Sequence, residues 1–362
     1  MSGSGDVTTD VAIVGGGLSG LALANLLQAA GLSFQLFEAR AHFGGRIAAL
    51  EGLGGCVDLG PSWFWPGQPR IAQLVAELGL RSFPQHAHGD IVFEDATGMV
   101  HQGMGYASME GSFRLEGGMI GLVEGLTATL PADRLHLSSA VKEMGSGQVR
   151  LANGTCCSAR HVALAIPPRL AATLIYDPPL PVAAFQSLTA IPTWMAGHAK
   201  FVAIYDRPFW REKGMSGDAM SHRGPLAEIH DASSADGTPA ALFGFLGVPA
   251  SHRKDRAAEI EALALHQLAQ IFGPEAREPL QTALQDWACE PLTATETDQT
   301  PPAGHPAYGL PHALVGVSDG RLHFAGTEVA QEMGGLMEGA LASAERVARL
   351  IIADMKPGLD AS

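Results

Sequence analysis

The chain opens on an apolar run, Asp10-Val-Ala-Ile-Val14, whose β-branched residues and lack of alternation predict a buried strand. Glycines follow at once. Leu18 to Ala30 then reads as a helix, with Gly31 at its C-cap. Phe34 to Glu38 is a second strand, ending on an acid, so the N-terminus is one strand–helix–strand unit. Further along, residues 70 to 79 have helical spacing, and Ile91 to His101 reads as a hairpin around Thr97-Gly98. A helix is predicted from Gly118 to Leu130. Strands are predicted near Leu135 to Val141, Val149 to Leu151 and Val162 to Ile166. The adjacent Cys156 and Cys157 follow the Asn153-Gly154 turn signal and read as strand residues. From about 171 to 284 the texture changes. Strands at His198–Tyr205, Ala227–His230 and Ala240–Leu246 precede a long helix from about Arg253 to Phe272. Thr- and Pro-rich loops then run to about Pro311, and a strand, Leu322–Ala325, and a helix, Gly335 to Ile352, close the chain.

The 362 residues give a prior of two or three domains at roughly 150 residues each. With 46% hydrophobic residues the chain can bury a sizeable core. Charged residues make up only 17%, against about 25% in an average soluble protein, and there are 44 glycines. A Gly-rich, charge-poor chain of this size suits a large enclosed cofactor, because backbone must come close to the ligand. A net charge of −14 without a basic stripe argues against nucleic acid or an anionic membrane as partner. The most apolar stretch, Val11 to Leu27, is broken by Gly15, Gly16, Gly17 and Gly20, so no membrane span is expected. Asp6 and Asp10 stand where a secretory leader would be basic. The four cysteines form no C-x-x-C pair, so neither a zinc site nor a disulfide framework is indicated; this usage fits a reducing cytoplasm. No metal site is expected.

Gly15-x-Gly17-x-x-Gly20 lies between the first strand and the first helix. The first glycine makes the tight turn, the second lets backbone approach a pyrophosphate, and the third lets helix and strand pack closely. The pyrophosphate then caps the helix N-terminus. Glu38, 18 residues past Gly20, is placed to accept the ribose hydroxyls of an adenosine.

Further motifs follow in order: Ala39-Arg40-x-x-x-Gly44-Gly45-Arg46, Asp58-Leu-Gly-Pro-Ser-Trp63, Val162 to Pro168, the lysine strand His198-Ala-Lys200-Phe to Trp210, and Phe324-Ala-Gly-Thr-Glu328 with Gly335-Leu-Met-Glu-Gly-Ala340. With them the chain resembles the flavin-containing amine oxidases, over about residues 10 to 350. The resemblance implies an α/β fold. A Rossmann-like FAD-binding domain (1–70, 114–170 and 285–362) is interrupted by a substrate domain of mixed sheet and helices (71–113 and 171–284). It implies FAD held by Gly15, Gly17, Leu18, Ser19, Gly20, Glu38, Ala39, Arg40, Gly45, Gly60, Pro61, Ser62, Trp63, Trp287, Gly326, Met337 and Ala340. Arg46 serves the pyrophosphate, Glu328 the ribityl chain and Val141 the adenine through its backbone. The helix opening at Gly335 and Leu336 aims its positive end at the flavin. The lysine at the position of Lys200 contacts flavin N5 through a water. No second Gly-rich unit for a nicotinamide cofactor is visible.

Departures from the family matter too. Thr295 stands at or near the cysteine that tethers flavin in the monoamine oxidases, so non-covalent FAD is expected. The two aromatic cage positions hold Glu296 and Leu336, and the segment 71–113 is too short for a full lid. Trp63, Phe64, His230, Phe243 and Phe245 align with cavity-lining positions, although aromatics on strands are ordinarily core. The expected reaction is hydride transfer from the carbon beside an amine nitrogen to FAD, giving an imine, with oxygen reoxidising the flavin to yield hydrogen peroxide. Lys200 and Glu296 are the expected catalytic residues. A dehydrogenase, desaturase or renalase-like oxidase remains open, as does a non-catalytic FAD-binding partner protein; neither the amine nor the oligomeric state is legible.

Overall fold

The computed structural model describes residues 7–52, 55–145 and 147–356. Two large sheets organise them. The first has eight strands. Its centre is parallel: Leu135–His136, Phe34–Phe37, Val7–Val14, Cys156–Leu164 and Leu322–Phe324 lie side by side. Ala12 pairs with Val162 on one side and Gln35 on the other, and Val162 also meets Leu322. Val11 to Val14 are all buried without alternation because both faces of this sheet are covered. On one face Val11 and Ile13 pack on Leu21, Leu23, Leu122 and Val347 from three helices, Leu18–Ala29, Ile120–Thr129 and Met337–Met355. On the other, Ala12 and Val14 pack on Met144, Val149, Leu188 and Leu314.

The second sheet has seven strands in the order Gln281–Asp286, Ala199–Tyr205, Ala240–Leu246, Leu226–Asp231, Met215–Ser221, Asp90–Glu94 and Val100–Gln102. Its pairs are antiparallel except Met215–Ser221 with Asp90–Glu94. Every residue of Ala199–Tyr205 is buried, and its two faces go to different places. Phe201, Ala203 and Tyr205 pack against the helix Ala257–Phe272. Val202 and Ile204 face the other way, toward Phe243, with Trp63 packed against that cluster, and Lys200 shares their side of the strand.

Most expected elements are present, with instructive differences. The strand expected from Leu135 to Val141 is two. Leu135–His136 stops at Ser138, whose φ of +51° turns the chain while the Ser138 and Ser139 N–H groups donate to Arg40 and Glu38 carbonyls. A fresh strand, Val141–Gly145, then starts. The returning strand begins earlier than expected, at Cys156, and ends at Leu164. Ile175–Asp177 joins the first sheet's edge, and Val182–Ala190 packs on that sheet too, so the hydrogen-bonded switch to the second sheet falls after residue 190 rather than at 171. The strand Met215–Ser221 was not expected. Its Ser216, Asp218 and Ser221 break the apolar pattern, yet all three are buried and hydrogen-bonded. Gln281–Asp286 and the hairpin Ala49–Gly52/Gly55–Asp58 also lack an apolar signature.

One partly buried histidine pair sets an acid limit. His161 and His323 lie on adjacent strands with Nδ1 and Nε2 3.1 Å apart, and His161 Nε2 is 3.1 Å from Asp354 on the last helix. Burial, and then His161 and Arg346, push His323 down to about 4. The folded state therefore holds this ring neutral where the unfolded chain, titrating near 6.5, takes a proton. Stability should fall as pH drops from about 6.5 to 4, by up to about 1.4 kcal/mol per pH unit. Urea melts at pH 7 and pH 5 check this: His323→Gln should lose less stability over that interval than the wild type, and an equal loss would assign the acid sensitivity elsewhere.

Candidate functional site

A cavity of about 920 Å³ lies where the C-terminal ends of the central parallel strands meet the face of the second sheet turned away from the helix Ala257–Phe272. Its first wall is the turn after the first strand. Gly15 has a φ of +106°, and a Cβ there would lie 2.7 Å from the Ala165 carbonyl oxygen. A Cβ on Gly20 would lie 2.0 Å from the Gly15 carbonyl oxygen, so this glycine is demanded by helix–strand packing. Gly17 differs: a Cβ there meets nothing closer than 3.7 Å and would occupy cavity space. Gly17 is also the N-cap of the helix Leu18–Ala29, which has no side-chain cap and no acid in its first turn. Free N–H groups and a positive dipole end thus face an open cradle, which suits a pyrophosphate.

Glu38 closes the turn. Its Oε2 accepts from Gly16 N–H at 2.7 Å and its Oε1 from Arg40 N–H at 2.8 Å, while the residue lines the cavity. Arg46 forks onto the fully buried Glu328 at 2.6 and 3.3 Å. Gly326 and Gly335 line the cavity too, but their missing Cβ atoms make room for protein. A Cβ would lie 2.8 Å from the Ile166 carbonyl oxygen at the former, and 2.9 Å from Trp194 at the latter, where φ is +81°. The last helix begins at Met337, with Leu336 as an extended N-cap lacking a side-chain cap, two residues later than expected. The donor set, the two uncapped helix ends and the cavity size fit FAD.

Deeper in, Lys200 is buried. Its Nζ donates to Ser62 Oγ at 2.7 Å and to the Gly60 carbonyl at 3.2 Å, and lies 3.8 Å from the centre of the Phe243 ring. Burial is the main cause that lowers it to about 7; the Asp58 carboxylate raises it and Arg114 lowers it further. The register gives the layout of this wall. Lys200 pairs with Phe245, and Phe245 with Glu228, so the three share one face across three adjacent strands. Lys200 and Glu228 are therefore two inter-strand spacings apart, about 10 Å. Glu228 Oε1 accepts from Ser108 Oγ at 2.6 Å and from His230 Nε2 at 3.0 Å. The His230 hydrogen bond is the main reason its carboxyl sits below the usual range.

Of the expected cofactor residues, Gly15, Gly17, Leu18, Ser19, Glu38, Arg40, Gly45, Arg46, Gly60, Pro61, Ser62, Trp63, Trp287, Gly326, Gly335, Leu336, Met337 and Ala340 line this one cavity. Gly20, Ala39, Val141 and Glu328 are not among its lining residues. Of the expected pocket residues, Trp63, Phe245 and Leu336 line it, whereas Phe64 packs on Phe113, and Phe243 (tilted) and His230 (edge-on) pack against Trp63 from outside the lining. Glu296 corrects the expectation most clearly. It is exposed, on the short turn Glu296–Gln299, and does not line the cavity. Thr295 and Asp298 cap that turn reciprocally and Asp298 is drawn in to Arg169 at 2.6 Å, which leaves Glu296 on the solvent side.

The inward carboxylate is Glu228, which the sequence reading missed. Its signal was available: with Ile229 packed toward the helix, alternation sends 228 and 230 to the opposite face. Trp194 and Met195 line the cavity from a loop that carries no such pattern. The cavity's arginines are engaged: Arg253 forks onto Asp286 at 2.8 and 2.7 Å, Arg46 onto Glu328, and Arg40 donates to Glu290 and Thr293. A substrate carboxylate would find no uncommitted guanidinium among the described residues.

The family profile for flavin containing amine oxidoreductases matches residues 18–103 and 92–352. A probable flavin-containing monoamine oxidase A of Dictyostelium discoideum is 26% identical, over 94% of this chain and 97% of that protein. The human amine oxidase [flavin-containing] B is also 26% identical, over 95% and 86%. Among solved structures, putrescine oxidase bound to putrescine superposes with a TM-score of 0.80 at 22% identity, over 96% of this chain and 100% of that one. Cyclohexylamine oxidase from Brevibacterium oxydans does so at 0.81 and 21%, over 96% and 99%. At these identities the structural likeness speaks for the fold.

The two glycines of the turn separate packing from binding. Gly20→Ala should destabilise the apoprotein by about 1–3 kcal/mol, as overpacking does. Gly17→Ala should change apoprotein stability by less than about 1 kcal/mol yet weaken FAD binding at least tenfold. Thermal melts and flavin-fluorescence titrations measure both, and equal FAD affinity in Gly17→Ala and wild type would put the pyrophosphate elsewhere.

Proposed function

This chain belongs to the flavin-containing amine oxidoreductase family, and we propose that its substrate is an amine carrying a second positive group. It is an FAD-dependent oxidoreductase. The observation that carries the proposal is one cavity joining the dinucleotide cradle to Lys200 and, about 10 Å across the sheet, to the carboxylate of Glu228. FAD, when bound, supplies the hydride acceptor for the carbon beside the amine nitrogen. Glycines 15 and 17, Glu38, Arg46 and the two helix N-termini are the residues that would hold it. The chain contributes placement. Trp63, Phe245 and Leu336 exclude water around an aliphatic chain. Glu228 attracts the distal ammonium, and its anionic form is favoured by the His230 hydrogen bond.

Lys200 supplies a proton-bearing group whose charge is poised. Two N–H groups satisfy Ser62 and Gly60 whether or not the third proton is present. Protonated, Nζ offers a preorganised positive charge to the negative charge that develops on oxygen as it is reduced. Non-covalent FAD is the reading that the cysteines support, because Cys56, Cys156, Cys157 and Cys289 all lie outside the cavity lining.

Three outcomes are expected. Denaturation followed by ultrafiltration should release the yellow chromophore; retention on the polypeptide would contradict non-covalent binding. Lys200→Met should slow reoxidation of the reduced holoenzyme by oxygen at least tenfold, about 1.4 kcal/mol. The wild-type rate should fall as pH rises through about 7, where Nζ loses its proton, and the variant should lose that dependence. Stopped-flow mixing with oxygen reads both, and a wild-type rate in the variant would remove Lys200 from this role. Glu228→Gln should raise KM for an α,ω-diamine at least tenfold relative to a monoamine of equal chain length; an unchanged ratio would refute the second-cation reading.

A further inference from the structure

His230 lies behind the cavity wall, yet it touches two carboxylates. Its Nδ1 is 2.9 Å from Asp218 Oδ1, and its Nε2 is 3.0 Å from Glu228 Oε1. The three side chains come from two neighbouring antiparallel strands, Met215–Ser221 and Leu226–Asp231. His230 is 1% exposed and Asp218 4%. A carboxylate accepts and does not donate, so both contacts are hydrogen bonds only when both ring nitrogens carry protons. Ser108 Oγ donates to the same Oε1, and Oε2 of Glu228 accepts no hydrogen bond among the described residues.

We propose that His230 is a positioning residue: doubly protonated and clamped by Asp218, it holds Glu228 ionised in one orientation, with Oε2 left for the substrate's second cation. This rests on the reading of Glu228 as a cation subsite. The array of two carboxylates and one imidazolium carries one net negative charge, at the end of the wall opposite Lys200. Around the ring, Trp63 meets it edge-on at 4.9 Å, Phe243 lies at 5.3 Å with the Lys200 amine 3.8 Å from that ring's centre, and Tyr106 and Ser108 border the same three side chains. Asp231, next in the chain, is occupied by Trp210 and Arg211. Burial alone would push His230 down, but the Asp218 and Glu228 hydrogen bonds outweigh it and raise it. The clamp should therefore persist through neutral pH.

The test uses the FAD-loaded enzyme, an α,ω-diamine and the monoamine of equal chain length. His230→Gln keeps a donor but no charge, and should reduce the diamine-to-monoamine ratio of kcat/KM at least tenfold, mostly through KM. Nitrogen-15 NMR of the histidine rings should report His230 doubly protonated at pH 7 in wild type, and less so at that pH in Asp218→Asn. That spectroscopic readout stands even if His230→Gln does not fold. A neutral His230 ring in the wild type at pH 7 overturns the proposal. If Glu228→Gln loses the discrimination while His230→Gln keeps it, the clamp alone falls. If Glu228→Gln keeps it, the cation subsite falls and the clamp's role with it.

Discussion

Two helices start at the wall of an internal cavity without a side-chain cap, and much of the rest is arranged around that fact. The helix Leu18–Ala29 begins at Gly17 and the helix Met337–Met355 at Leu336. Buried N–H groups left without a partner are costly, so a cavity bounded by two such ends is completed by an anion or a polar ligand. Placing the first end there requires Gly15 and Gly20 to cross at a distance no Cβ permits. Placing the second requires the last helix to pack on the first, through Ala340, Leu341, Ala344, Val347 and Ile351 in the same core as Leu18 to Leu27.

The second sheet supplies chemistry to this frame through period-two alternation. One strand buries Phe201, Ala203 and Tyr205 under the helix Ala257–Phe272 and sends Lys200 the other way. A lysine is normally anchored in water by its charge. Here it is enclosed by Ser62, Gly60 and the Phe243 face, and its amine has become a group that can exist in either form near neutral pH. Three residues along the same sheet row, Lys200, Phe245 and Glu228, then define a cationic or neutral end, an aromatic middle and an anionic end. That polarity is what an extended amine with charge at its far end can read.

Much of the candidate cofactor cradle is legible in the sequence because glycine spacing, an uncapped helix start and an acid at a strand end are local signals. Gly15, Gly17 and Glu38 could be named without knowing any long-range contact. The substrate side depends on pairing between strands far apart in the chain, and there local reading failed in a specific way. Glu296 stands at one of the aromatic-cage positions that the resemblance implies, but the Thr295–Asp298 cap turns it outward. Glu228 sits two residues from His230, but only the register across Phe245 places it in line with Lys200. Met215–Ser221 was invisible as a strand because its polar residues, Asp218 among them, are satisfied by partners that the linear sequence does not reveal.

We propose that the cradle and the Lys200–Glu228 wall serve one reaction, oxidation of an amine by bound FAD. The most direct measurement mixes the holoenzyme with amines in the absence of oxygen and follows the flavin absorbance near the visible maximum. Monoamines and α,ω-diamines of matched length, with an α-amino acid series beside them, cover the alternatives. The flavin should bleach with amines, fastest at low concentration with the diamines, and should resist the amino acids, for which the cavity offers no uncommitted arginine. A flavin that stays oxidised with every amine, or that bleaches with amino acids alone, would contradict this assignment.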